Sequence, residues 1–120
     1  MNDTELERYS RHILLNEFDI VSQEKLSSAT ALMIGCGGLA NACAPILASA
    51  GLGHIIVCDG DTIELSNLQR QFAFTEADIG RYKAEVLKAY LQARNSQIQI
   101  SSIHQFVDEA FLHDCLPQCA

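Results

Sequence analysis

Two short apolar runs, each ending in a turn that carries chemistry, organise this chain. Thr30-Ala-Leu-Met-Ile34 runs into Gly35, and His54-Ile-Ile-Val-Cys58 runs into Asp59. Continuous apolar runs of this length suit strands covered on both faces, as in a parallel sheet. Between them, Gly35-Cys-Gly-Gly-Leu-Ala40 leads into a small-residue helix predicted over 41–50, which Gly51-Leu-Gly53 ends. Strand, glycine turn, helix and strand form a βαβ unit, with a right-handed crossover. Upstream, Leu6, Tyr9, Ile13 and Leu14 recur at three- and four-residue spacing. That predicts a helical segment over 3–28 with one apolar face, and a second short helix over 21–28. Downstream, residues 61–80 read as a long loop with one or two helical turns. Residues 81–94 form a helix with Val86, Leu87, Tyr90 and Leu91 inward. Alternation over 97–103 predicts a third, half-buried strand, and a last helix covers about 108–115, before Pro117.

The order of elements predicts an α/β fold, a Rossmann-like doubly wound parallel sheet of about three strands. Residues 1–28 are the N-terminal helical segment and 29–120 a partial nucleotide-binding domain. Such sheets continue on the other side of their first strand, and no predicted strand fills that place. The first strand is therefore expected to leave an open apolar edge. Either another chain covers it, or this chain is the front part of something longer.

Composition narrows the function. The chain has 120 residues, 48% hydrophobic, with 8 Lys and Arg against 15 Asp and Glu, a net charge of -7. A nucleic-acid binder needs a basic face, so that class is disfavoured. No run is long and apolar enough to cross a membrane, and the polar, acidic start is unlike a secretory signal. Five cysteines, an odd number without a secreted context, predict reduced thiols in a cytoplasm.

Gly35, Gly37 and Ala40 fit the G-x-G-x-x-(G/A) spacing, placed after a strand and before a helix. Gly35 permits a tight turn, Gly37 lets the backbone approach a phosphate, and Ala40 lets the helix pack closely on the strand. The helix N-terminus then offers free N–H groups and partial positive charge to an anion. Asp59 lies 24 positions after Gly35, near the roughly 20-residue offset of an acid that binds ribose hydroxyls. The motif alone does not distinguish NAD, FAD and ATP. Cys36 sits in the turn, where the helix N-terminus is expected to lower its pKa, although a small filler is the favoured role. Pro45 is expected to kink the helix.

The next segment favours ATP. Asp61, Asn67, Arg70 and Gln71 follow the second strand, at the sheet end where ligands of open α/β sheets sit. Lys83 lies in the first turn of the next helix, where the helix dipole disfavours a cation, which suggests that it meets a phosphate. Arg8-Tyr-Ser-Arg11 with Leu14-Leu15, Gly35-Cys-Gly-Gly38, Asp59-Gly-Asp61, Ser66-Asn-Leu-Gln-Arg-Gln71 and Gly80-x-x-Lys83 together resemble the ubiquitin-activating (E1-like) superfamily. The likeness is greatest to its bacterial sulfur-carrier adenylyltransferases of the thiamine and molybdopterin pathways. It spans nearly the whole chain.

The resemblance implies ATP-dependent adenylation of the C-terminal Gly-Gly carboxylate of a small ubiquitin-fold sulfur carrier, with Mg²⁺. Gly35, Gly37 and Gly38 would line the phosphate turn, and Asp59 would hold ribose. Asp61, Asn67, Gln71, Arg70 and Lys83 would lie around the nucleotide. Arg11 resembles an arginine that reaches into a neighbouring subunit's site, which implies a homodimer. The family's Mg²⁺ acid and its Cys-x-x-Cys zinc pairs have no counterpart in the sequence, and Tyr82 stands where the family usually has proline. Cys115-Leu-Pro-Gln-Cys119 lacks the ligand set of structural zinc. The alternative is a catalytically incomplete E1-like module that binds a nucleotide or a partner. His12, His54 and His104 read as surface or packing residues.

Overall fold

The structure, a computed structural model, describes residues 1–15 and 17–118. Cys119 lies outside the described residues. Three parallel strands, β1 (Thr30–Ile34), β2 (His54–Cys58) and β3 (Gln99–Ile103), form one sheet in the order β1-β2-β3. Thr30 pairs with His54 and His54 with Gln99, and the register runs without a bulge to Ile34, Cys58 and Ile103. All three strands therefore end at the same edge of the sheet. The N-terminal segment comprises α1 (Asp3–Arg8), α2 (Ser10–Ile13) and α3 (Ile20–Ser28). Helix α4 (Gly38–Ala50) links β1 to β2, α5 (Lys83–Arg94) precedes β3, and α6 (Glu109–Cys115) follows it.

Both apolar runs become strands over the predicted residues, but their burial differs. β2 is central: Ile55, Ile56, Val57 and Cys58 are buried. β1 is an edge strand of intermediate burial whose Ile34 is exposed. The expectation that β1 is covered on both faces is corrected, since its residues are only partly buried and Ile34 is exposed, whereas its expected open edge is seen, with only β2 flanking it among the described residues. Leu39 and Ile46 of α4 are also exposed. The core lies under β2, where Ala40, Ala44 and Ala48 of α4 meet Ile55, Val57, Leu87 and Leu91. Alanine on α4 allows the close helix–sheet approach that the glycine motif predicts.

The predicted helix over 41–50 begins three residues earlier, at Gly38, and continues through Pro45 to a left-handed Gly51 at φ 97°. Gly51 N–H and Leu52 N–H close back onto the carbonyls of Ala48 and Leu47. That is a glycine C-terminal cap. In α5, Val86, Leu87 and Leu91 are buried as expected, but Tyr90 is exposed. In the N-terminal segment Tyr9 is buried, whereas Leu14 faces outward at 80% exposure. The predicted helix over 3–28 is broken between α2 and α3 by a bridge pairing Leu15 with Phe18.

Buried amides attach this segment to the sheet domain. Fully buried Asn95 donates through Nδ2 to the Tyr9 hydroxyl (2.8 Å) and to the Ala48 carbonyl (2.9 Å). Gln23, also fully buried, donates to the Ala50 carbonyl (2.9 Å), and its Oε1 meets His12 Nδ1 at 3.2 Å. Gly53 N–H donates to the Leu26 carbonyl (3.1 Å). A Cβ on Gly53 would overlap the Ser27 carbonyl oxygen. Gly53→Ala is therefore expected to destabilise the fold by about 2 kcal/mol or more in urea unfolding. An unchanged midpoint would show that α3 does not pack here.

Candidate functional site

The site sits at the sheet edge where the strands end. Gly35 leaves β1 with a left-handed φ of 86°, and its N–H donates to the Cys58 carbonyl at 2.8 Å. A Cβ built on Gly35 meets nothing within 4 Å. Glycine is thus needed there for its backbone angle, not for space. Gly37 is the N-cap of α4, without a side-chain cap. The first N–H groups of α4 are therefore left for an external acceptor, next to the positive end of the helix dipole.

Asp59 braces this turn. Its Oδ2 accepts from Cys36 N–H and its Oδ1 from Asp61 N–H, both at 2.7 Å. A carboxylate has further lone pairs on each oxygen, so ribose hydroxyls can still donate to it. Cys36 is fully buried. Burial, then the neighbouring Asp59 and Cys58, push its thiol up to about 12, against the opposing effect of Lys83. The expected lowering by the helix N-terminus is overturned, because desolvation disfavours the thiolate more strongly than the dipole favours it. Cys36 is a filler.

Loop residues 59–80 carry the polar groups. In the 3-10 turn Leu65–Asn67, Asn67 is buried and its Oδ1 accepts from Glu64 N–H (2.8 Å). Its side chain thus secures the turn. Arg70 lies along the start of α4: its Cγ and Cδ are 3.5 Å from the Cβ position of Gly38. Arg70 is exposed, and its Nη1 donates to the Ser66 carbonyl at 3.2 Å. Among the described residues it forms no ion pair, with Glu64 and Glu76 included.

Gln71 is 3% exposed, and its Nε2 lies 3.8 Å from the Cβ position of Gly37. Its Oε1 is buried without a hydrogen-bond partner. Such an orphan costs about 1–3 kcal/mol, which marks a place where a partner belongs. Lys83, the first residue of α5, is 8% exposed and has no ion pair among the described residues. Its backbone N–H donates to the Asp61 carbonyl at 3.1 Å, which ties α5 to the loop. Lysine is rarely this buried without a partner. The Asp61 side chain is exposed, as is Arg11.

Sequence reasoning missed two contributors. Buried Asn41 joins the glycine turn to the loop: its Nδ2 donates to the carbonyls of Cys36 (3.1 Å) and Gly37 (2.9 Å), and its Oδ1 accepts from Ala73 N–H (2.8 Å). Its signal was a polar residue inside a run of alanines. Phe106 covers Gly60, where a Cβ would collide with its ring. Gly35, Asp59, Gly60, Asp61 and Phe106 border a cleft of about 170 Å³ beside the turn. Tyr82, just before α5, stacks on His104 with ring centroids 3.5 Å apart. His54 Nε2 meets Ser101 Oγ at 2.8 Å, and His12 stacks on Tyr9. These contacts agree with packing roles for all three histidines.

A glycine turn at a helix start, two cations and a buried amide thus converge at the end of a parallel sheet. Such an arrangement can receive an anion, a phosphate among them. The described residues form no cluster of three or more His, Cys, Asp or Glu that could hold a metal ion. None of their helices is long and apolar enough to cross a membrane. Residues 9–120 match the ThiF family, and the chain belongs to it. It is 41% identical over 116 residues to the sulfur carrier protein ThiS adenylyltransferase of Escherichia coli K12, covering 97% of this chain and 46% of that protein. It is 44% identical over 104 residues to the adenylyltransferase and sulfurtransferase MOCS3 of Culex quinquefasciatus, covering 87% of this chain and 24% of that protein. The E. coli MccB structure with ATP superposes at a TM-score of 0.83, with 42% identity, over 94% of this chain and 35% of MccB. The chain thus spans less than half of the length of each curated relative named here.

The raised Cys36 pKa has a testable sign. The thiol stays neutral in the fold up to about 12, while in the unfolded chain it ionises near 9.0. Its stabilising contribution is complete below pH 9 and is lost as pH rises towards 12. Unfolding measured across that range should show a steeper loss of stability than in Cys36→Ala. Identical slopes would contradict the assignment.

Proposed function

We propose that the protein takes part in ATP-dependent adenylation of the C-terminal Gly-Gly carboxylate of a small ubiquitin-fold sulfur carrier. One observation carries this reading: the Arg70 side chain lies against the open start of α4, while Lys83, whose charge acts on Cys36 in the turn, is buried and forms no ion pair among the described residues. A polyphosphate satisfies both cations and the helix N-terminus together. The identity to carrier-activating relatives supports the choice of carrier.

In this reading Gly35, Gly37 and Gly38 cradle the phosphates and Asp59 receives the ribose hydroxyls. The base lies in the cleft beneath Phe106. The carrier carboxylate is ionised near pH 7, so it needs no general base. One of its oxygens bonds to the α-phosphorus, and the α–β bridging oxygen leaves with its electron pair as pyrophosphate. Negative charge grows on the phosphoryl and leaving oxygens, and Arg70 and Lys83 stabilise it. Mg²⁺ bound with the nucleotide would neutralise further phosphate charge, and the exposed Asp61 carboxylate is the group that would hold it or its water. Asn67 secures the turn of the loop beside the nucleotide, and Gln71 faces the phosphate turn with a carboxamide oxygen left for a partner. Arg11, exposed on α2, is assigned to the partner's site in a homodimer.

ATP–pyrophosphate exchange with a carrier ending in Gly-Gly tests the reading. Arg70→Ala should slow exchange by about tenfold or more, a loss of about 1.4 kcal/mol of transition-state stabilisation. Unchanged exchange would remove Arg70 from the chemistry. Nucleotide binding with no exchange for any such carrier would favour a binding module.

A further inference from the structure

We propose that Asn41 is a positioning residue for the nucleotide phosphates, an inference that rests on the reading above. It touches no ligand in this account. Its single carboxamide uses both ends to join the phosphate turn to the segment that follows Arg70 and Gln71, beyond the reach of the Asp59 brace, which holds only the start of the loop. Nδ2 takes the carbonyls of Cys36 and Gly37 in the phosphate turn. Oδ1 takes the Ala73 N–H, three residues after Arg70 and two after Gln71. The link is 95% buried, so water does not compete for it.

The geometry on either side explains what the link holds. Arg70 lies 3.5 Å from the Cβ position of Gly38, and Gln71 lies 3.8 Å from that of Gly37. Both side chains are aimed at the start of α4, one exposed and cationic, one buried with an unpaired Oε1. No ion pair or side-chain hydrogen bond ties either of them to the turn among the described residues. Asn41 is the hydrogen-bonded connection between the turn that offers N–H groups and the segment that offers these side chains. A phosphate that spans the two needs their spacing held before it binds, and the Asn41 amide holds it. Small shifts there translate into poorly aimed donors.

The test compares phosphate-dependent with phosphate-independent affinity. Fluorescence titrations measure ATP and adenosine binding to the wild-type protein, Asn41→Ser, Arg70→Ala and the double variant. Asn41→Ser keeps one hydroxyl but cannot span both segments. It should weaken ATP about tenfold and leave adenosine within about twofold. It should cost less in the Arg70→Ala background, because Asn41 acts partly through Arg70. Equal losses for ATP and adenosine, or full additivity with Arg70→Ala, would mark Asn41 as merely structural and overturn the proposal. If Asn41→Ser does not fold, hydrogen exchange at the Ala73 amide in the wild-type protein decides. Exchange there should slow with saturating ATP and not with adenosine, and an unchanged rate with ATP bound would overturn the proposal. Failure of the wild-type protein to bind ATP would instead sink the nucleotide reading itself.

Discussion

The Asp59 carboxylate is the constraint on which the site depends. It caps the end of β2 and accepts from Cys36 N–H on one side and Asp61 N–H on the other. A single side chain thereby sets the glycine turn after β1 and the loop after β2 against each other. Hydrogen bonds to a charged acceptor are stronger than neutral ones. The turn can therefore keep a left-handed Gly35 and an uncapped α4 start without collapsing onto its own N–H groups. Asn41 repeats the device one layer deeper with a neutral amide.

This bracing matters because the core below it is thin. Three short strands and a helix of small residues place the turn, and β1 has a strand on one side only among the described residues. The N-terminal segment compensates through polar rather than apolar contacts. The buried side chains of Tyr9, Gln23 and Asn95 form hydrogen bonds that join the end of α1, α3, α4 and the end of α5. Removing one partner from such a network leaves another buried group unsatisfied, so the segment is attached firmly despite its few apolar contacts. Arg11 rides on this attached segment.

Much of this was legible in sequence because the signals were local. The apolar runs marked β1 and β2, the Gly51 cap marked the end of α4, and the Gly35–Ala40 spacing located the turn. Asn67 and Arg70 stand out in the Ser66–Gln71 string, and Lys83 by its place in the first turn of a predicted helix. What they touch was not legible. Asn67 secures a 3-10 turn, and Asn41 was passed over because its partner Ala73 lies 32 residues away. The expected lowering of the Cys36 pKa fails because position at a helix start is readable and complete burial is not, while the favoured role as a filler agrees with that burial. Leu14 and Tyr90 faced outward because a helical period predicts a face but not whether an element covers it.

The account stands on where a nucleotide's phosphates lie. A crystal structure of the protein with a non-hydrolysable ATP analogue measures this directly. The account predicts phosphoryl oxygens on the N–H groups at Gly37 and Gly38, with Arg70 and Lys83 within hydrogen-bond reach and the ribose at Asp59. Phosphates bound elsewhere, with Arg70 and Lys83 directed away from them, would contradict it.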